Sequence, residues 1–137
     1  MIALRTGLAV IEENLAVAAF EMLKTGQEGR TERLIDASLM TMHVGGRGLF
    51  ATPSMILLME LTAHGSVEPQ LPAGYTTVGY EVCVRHLGPA EEGETVVVSS
   101  RLTEVGGNRL LFEVECRKDG VTIGVGTHRR AIVPALT

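Results

Sequence analysis

The sequence predicts an α+β domain in which one apolar helix precedes an antiparallel meander, and three observations carry that prediction. Within a helix from about residue 53 to 64 the run Met55, Ile56, Leu57, Leu58, Met59 is apolar on every face, so this helix should be wrapped by other structure. Beyond it, four stretches alternate apolar and polar residues with the period of half-buried strands. Tight-turn signals, Gly106-Gly107-Asn108 and Asp119-Gly120, separate the later stretches, so neighbouring strands run antiparallel.

The 137 residues, 45% hydrophobic and 20% charged, suit one domain with an ordinary core. Cys83 and Cys116 lie in separate apolar stretches and need no bridge. Glu12 and Glu13 interrupt the only candidate for a secretory apolar region, so a cytoplasmic location is expected. No apolar run approaches the roughly 20 residues of a membrane span. A net charge of −4 lacks the field that attracts phosphate backbones, and membrane and nucleic-acid roles are not expected.

In chain order, Ile11, Leu15, Ala18, Ala19, Met22 and Leu23 recur at helical spacing over residues 9–24. Glu12 and Glu13 come early and Lys24 late, which complements the helix dipole. Gly26 marks the exit, and the polar Thr25–Thr31 stretch reads as a connecting loop. Residues 33–42 lack a clean period; a short strand is favoured over a helical turn. Gly45–Gly48 is a turning segment. In the next element Thr52 serves as a cap, Pro53 occupies the first helical position, and Gly65 closes the helix.

The first strand of the meander, Tyr75 to His86, places Val78, Tyr80, Val82, Val84 and His86 on one face. Thr77, Gly79, Glu81, Cys83 and Arg85 take the other. Val96, Val98 and Leu102 share a face of the second strand, and Leu110, Phe112, Val114 and Cys116 a face of the third. In the fourth, Val121, Ile123 and Val125 are expected inward, while Gly124 and Gly126 admit a close backbone. Such a sheet leaves an edge unpaired and its core unfinished, which a homodimer or higher homo-oligomer remedies. The chain is thus read as a single domain over 1–137, with an N-terminal helical extension and loop over 1–32 and a core over 33–137.

Glu60 is the one formally charged residue between Leu49 and Val67, inside the apolar helix. It either reaches out at a packing gap or subunit contact, or serves chemistry as a base, nucleophile or acceptor. His86 ends a valine face just before Gly88-Pro89, either as a rim residue or as the acid/base partner of a helix carboxylate. His64, four residues after Glu60, is a helix pair or a rival histidine. The Thr52 hydroxyl caps the helix or faces a ligand, and the unpaired N–H groups there suit an oxyanion. His43, Arg129 and Arg130 read as solvated or positioning residues, and the basic groups near the sheet end could also meet a nucleotide phosphate. There is no CxxC, HExxH, Walker loop or GxSxG, and no metal is expected.

The segments FATPSMILLMELTA, TTVGYEVCVRHLGPAEEGETV and GVGTHRRAIV resemble the hotdog-fold acyl-CoA thioesterases, especially the branch that includes fluoroacetyl-CoA thioesterase. The resemblance covers roughly residues 42–133. It implies a long helix wrapped by an antiparallel sheet, a dimer with active sites at the subunit interface, and hydrolysis of an acyl thioester. It also implies that Thr52, Glu60 and His86 are catalytic. Val78, Gly79, His128 and Arg129 are expected to bind substrate. CoA enters as part of an acyl-CoA substrate, with no separate cofactor. The expected function is hydrolysis of a small or medium acyl-CoA; the alternative is a dimer that binds acyl-CoA or another small ligand without turnover.

Overall fold

The computed structural model describes residues 7–137. Helix α1 (Gly7–Glu21) leads into β1 (Glu28–Leu34), a 3-10 turn (Ala37–Leu39) and a two-residue hairpin of β2 (Met40–Thr41) and β3 (Leu49–Phe50). Helix α2 (Thr52–Val67) is followed by β4 (Tyr75–His86), β5 (Thr95–Gly106), β6 (Arg109–Lys118) and β7 (Val121–Pro134). The five long strands form one antiparallel sheet in the order β1-β5-β6-β7-β4. The α+β reading holds, but the meander is limited to β5, β6 and β7: β4 pairs with β7 instead of β5, so β1 and β4 are the two edges.

Helix α2 lies on one face of this sheet, mainly across β5 and β1. Met55, Leu58, Met59, Ala63 and Val67 face the sheet against Val96, Val98, Leu102, Phe112 and Val114. Burying a side chain the size of Met or Leu contributes about 1.5–3 kcal/mol each, so this interface dominates the core. The opposite flank is not wrapped: Leu57 is 50% and Leu61 56% exposed. The helix also runs past Gly65 to Val67 rather than closing there.

Four further expectations are corrected. The segment assigned to a loop contains β1, which pairs with β5 from Glu28↔Arg101 to Leu34↔Thr95 and so brings residues 28–32 into the sheet. Its contact with α2 uses small polar residues instead of an apolar stripe. A Cβ on Gly29 would lie 2.8 Å from the Thr62 carbonyl oxygen, and Thr31 and Thr62 hydroxyls bond at 2.8 Å. The favoured strand over 33–42 is replaced by the end of β1, the 3-10 turn and β2. The Glu12 and Glu13 side chains, assigned to the α1 dipole, lie outside the described residues.

The third correction concerns β4. Gly79 pairs with Arg130 and Val82 with His128, so β4 spends three steps where β7 spends two, and Tyr80 is the extra residue of a β-bulge. Thr77 and Gly79 face α2 before the bulge; Val82, Val84 and His86 do so after it. Thr77 is consequently 3% exposed and Val78 47%, the reverse of an unbroken alternation. Tyr80 lies outside, under the Arg109 guanidinium at 4.7 Å.

The fourth concerns β7, where Val121 and Val125 point outward and only Ile123 of the three is buried, at an irregularity opposite Cys116 and Arg117. The face toward α2 is made by Gly124, Gly126, His128 and Arg130. A Cβ on Gly124 would meet the end of Met55, at 2.3 Å from Sδ. One on Gly126 would meet backbone, 2.1 Å from the Cys83 carbonyl oxygen and 2.6 Å from Val84 Cα. A flexible methionine can retreat and a paired strand cannot. Gly124→Ala should cost about 1 kcal/mol and Gly126→Ala about 3 kcal/mol or more in urea denaturation. Equal losses would contradict this packing.

Candidate active site

Two groups of polar side chains form on the α2 side of the sheet. The first lies where the start of α2 meets the end of β4. Ala51, not Thr52, is the N-cap, and it has no side-chain bond to give; Thr52 is the first helical residue. Its hydroxyl is thereby released from capping and bonds His86 Nδ1 at 2.8 Å. Both residues line a cavity of about 690 Å³ that runs beneath the β2–β3 hairpin past Thr41, His43 and Phe50. That volume is within the range of small-ligand pockets.

Enclosure controls the histidine. His86 Nε2 is buried without a hydrogen-bond partner, and the Phe50 ring stands edge-on at 5.9 Å. Desolvation of the charged form holds the His86 pKa below its ordinary value, against a smaller opposing effect of the Gly88 backbone. The imidazole is therefore neutral at neutral pH, as a general base must be.

The second group surrounds Glu60, two turns along α2. A Cβ on Gly79 would lie 3.2 Å from Glu60 Oε1, 3.2 Å from an Arg130 terminal nitrogen and 2.9 Å from His128 Cε1. Only glycine leaves that gap open. His128 and Arg130 are 1% and 6% exposed. Arg130 donates through Nε to the Thr77 hydroxyl at 2.8 Å and through a terminal nitrogen to the Thr77 carbonyl at 2.9 Å. His64 belongs to this group: its Nδ1 is 3.2 Å from the Thr77 hydroxyl and its Nε2 3.7 Å from Glu68.

The catalytic candidates thus divide. Thr52 and His86 meet, whereas Glu60 stands eight residues further along α2, a rise of about 12 Å. Of the residues expected to bind substrate, Gly79 borders the Glu60 gap and His128 is buried behind it. Val78 and Arg129 face away from α2; Arg129 pairs with Glu81 at 3.1 Å on the outer side. Arg130, read from sequence as solvated or positioning, is the basic residue that borders the Gly79 gap together with Glu60. Taking Gly124, Gly126, His128 and Arg130 as one face of β7 would have found it; the valines of that strand pointed to the other.

Among the described residues no three His, Cys, Asp or Glu side chains cluster to hold a metal ion. Both cysteines are unbridged; burial pushes the Cys116 thiol up to about 11, far from a reactive thiolate. No helix among the described residues is long and apolar enough to cross a membrane.

A long helix backed by this sheet, with polar groups at the helix start and along the last strand, defines a hotdog-fold protein. A hot-dog-like protein of Thermanaerovibrio acidaminovorans shares the architecture, with a TM-score of 0.76 at 22% identity over 83% of this chain and 86% of that one. A family model described as fluoroacetyl-CoA-specific thioesterase matches residues 30–135, and the chain belongs to that family. The fluoroacetyl-CoA thioesterase of Streptantibioticus cattleyicolor is 40% identical over 86 residues, which span 62% of this chain and 61% of that protein's length. A solved structure of the fluoroacetyl-CoA thioesterase FlK superposes with a TM-score of 0.76 at 28% identity, covering 82% of this chain and 89% of that one.

The half-buried His86 and the buried His128 have a testable effect on stability. Burial lowers the pKa of His128 as well as that of His86, so the unfolded chain binds protons at pH values where the native chain does not. Stability should be level above about pH 6.5 and fall as the pH drops through the lower, folded values. Thermal denaturation across pH 5–8 checks this; a midpoint that rises on acidification through that range would contradict it.

Proposed function

We propose that this chain hydrolyses a small or medium acyl-CoA thioester to the free acid and CoA, at a site completed by a second copy of itself. The observation that carries the reading is the Thr52 hydroxyl at 2.8 Å from the neutral His86, in the wall of a ligand-sized cavity. A hydroxyl held by an imidazole is the arrangement of an activated nucleophile. His86 takes the hydroxyl proton as Thr52 Oγ1 bonds to the thioester carbonyl carbon. The C–S bond then breaks, and the departing CoA sulfur takes that proton. Water attacks the acyl-threonine ester, giving a proton to His86; the acid leaves and Oγ1 regains the proton. N–H groups at the start of α2 stabilise the oxyanion of each tetrahedral intermediate. Side chains, backbone N–H groups and water supply every group, so the reaction as proposed uses no cofactor besides the CoA of the substrate.

The separation of Glu60 from Thr52 supports the homodimer. The free edge of β4, with exposed Leu57 and Leu61 on α2 and exposed Val78 and Tyr80 on the outer face of the strand, suits pairing with a second copy. Antiparallel pairing of two β4 edges centred on Val82 and Cys83 sets Gly79 of one copy opposite His86 of the other. Glu60 of the second copy then completes the site as the carboxylate that orients water for deacylation. A cytoplasmic location fits the free, exposed Cys83.

Thiol release from a panel of acyl-CoA thioesters tests this. Wild type should turn over at least one member, and Thr52→Ala, His86→Ala and Glu60→Gln should each lower kcat by about 100-fold or more while remaining dimeric. Unchanged turnover in the variants would remove the assignments. Binding without any wild-type turnover would favour the non-catalytic ligand-binding dimer.

A further inference from the structure

The histidine on β7 has a role that neither solvation nor substrate contact describes. His128 is 1% exposed, its ring stacked over Phe112 with centroids 6.5 Å apart, and both ring nitrogens are occupied. Nδ1 is 2.8 Å from the Glu81 carbonyl oxygen, and Nε2 is 3.1 Å from a terminal nitrogen of Arg130. A carbonyl can only accept and a guanidinium can only donate. The ring must therefore carry its proton on Nδ1 and present a lone pair at Nε2.

That lone pair acts on Arg130. Of the five N–H bonds of its guanidinium, two go to Thr77, one to His128, and one weakly to His64 Nδ1 at 3.5 Å. The fifth is on the nitrogen that His128 holds, which borders the Gly79 gap. Glu60 Oε1 borders it too; each atom lies 3.2 Å from the same point, so the two are at most twice that distance apart. Thr77 restrains one edge of the guanidinium, and His128 determines where its other end points.

We infer that His128 is a positioning residue: locked as the Nδ1–H tautomer between the Glu81 carbonyl and Arg130, it aims the guanidinium at the Gly79–Glu60 gap and fixes a positive charge beside that carboxylate. The inference rests on the proposed use of Glu60 in thioester hydrolysis. Burial also lowers the His128 pKa, with the nearby Arg130 charge adding to the effect and Glu60 and the Glu81 backbone opposing it. A neutral ring keeps its acceptor, whereas protonation at Nε2 would turn that nitrogen into a donor facing a donor.

Two amide replacements separate positioning from packing. Glutamine puts its amide oxygen where Nε2 stands and can accept from Arg130, while asparagine reaches only the position of Nδ1 and can serve only the Glu81 carbonyl. His128→Gln should keep kcat within a few-fold of wild type, and His128→Asn should lower it about 10-fold to 100-fold with a smaller change in KM. If asparagine matches or exceeds glutamine, or both equal wild type, His128 does not position Arg130. A second measurement needs no variant: imidazole 15N shifts of the wild-type protein should place the proton on Nδ1 at neutral pH, with titration below the ordinary histidine value. A proton on Nε2, or titration at the ordinary histidine value, would overturn the inference even if wild type hydrolyses no thioester, a result that would count separately against the proposed activity.

Discussion

The extra residue that Tyr80 inserts into β4 is the constraint on which both polar groups depend. In a regular strand Gly79 and His86 are seven positions apart and must point to opposite faces. One added residue brings both to the α2 side. Gly79 then opens its gap beside Glu60, and His86 reaches the helix start to meet Thr52. Bulges redirect side chains in this way at functional sites, and here one bulge serves two groups at opposite ends of a single edge strand. The Arg109 guanidinium over the Tyr80 ring covers the displaced side chain on the outside.

The strand beside it trades packing for polarity. β7 turns two glycines, a histidine and an arginine toward α2, where a purely structural strand would place valines. The glycines let Met55 and the β4 backbone approach, while the other two residues bring a desolvated polar pair to the helix. Burying a guanidinium is costly unless its donors are satisfied, and Thr77, His128 and His64 satisfy most of them. Glu60 and Glu68 raise the Arg130 pKa against the larger lowering caused by burial. The core of the domain is instead made by α2 against β5 and β6, whose inward positions are almost wholly apolar.

Much of this was legible in the sequence because it depends on local rules. The α2 apolar run, the β5 and β6 alternations and the turns at Gly107 and at Asp119-Gly120, where φ is positive, all follow from period and turn chemistry. Thr52, Glu60 and His86 stand out as candidates by type and placement. What stayed hidden depends on tertiary pairing. β1 has no apolar stripe because it docks through Gly29 and Thr31. The bulge carries no sequence signal, so an unbroken alternation groups Val78 with Val82, Val84 and His86, and the outward valines of β7 concealed Arg130. Thr52 read as a cap because the sequence does not show that His86 competes for its hydroxyl.

The separation of Glu60 from Thr52 and His86 within one chain leads to the claim of a site shared between two copies. Mixing Thr52→Ala and Glu60→Gln proteins, each inactive alone, under conditions that exchange subunits tests it most directly. In a mixed dimer one site receives both intact residues and the other neither, so an equimolar mixture should recover about a quarter of wild-type specific activity. No recovery despite demonstrated exchange would place Thr52, His86 and Glu60 in one chain's site and contradict the shared arrangement.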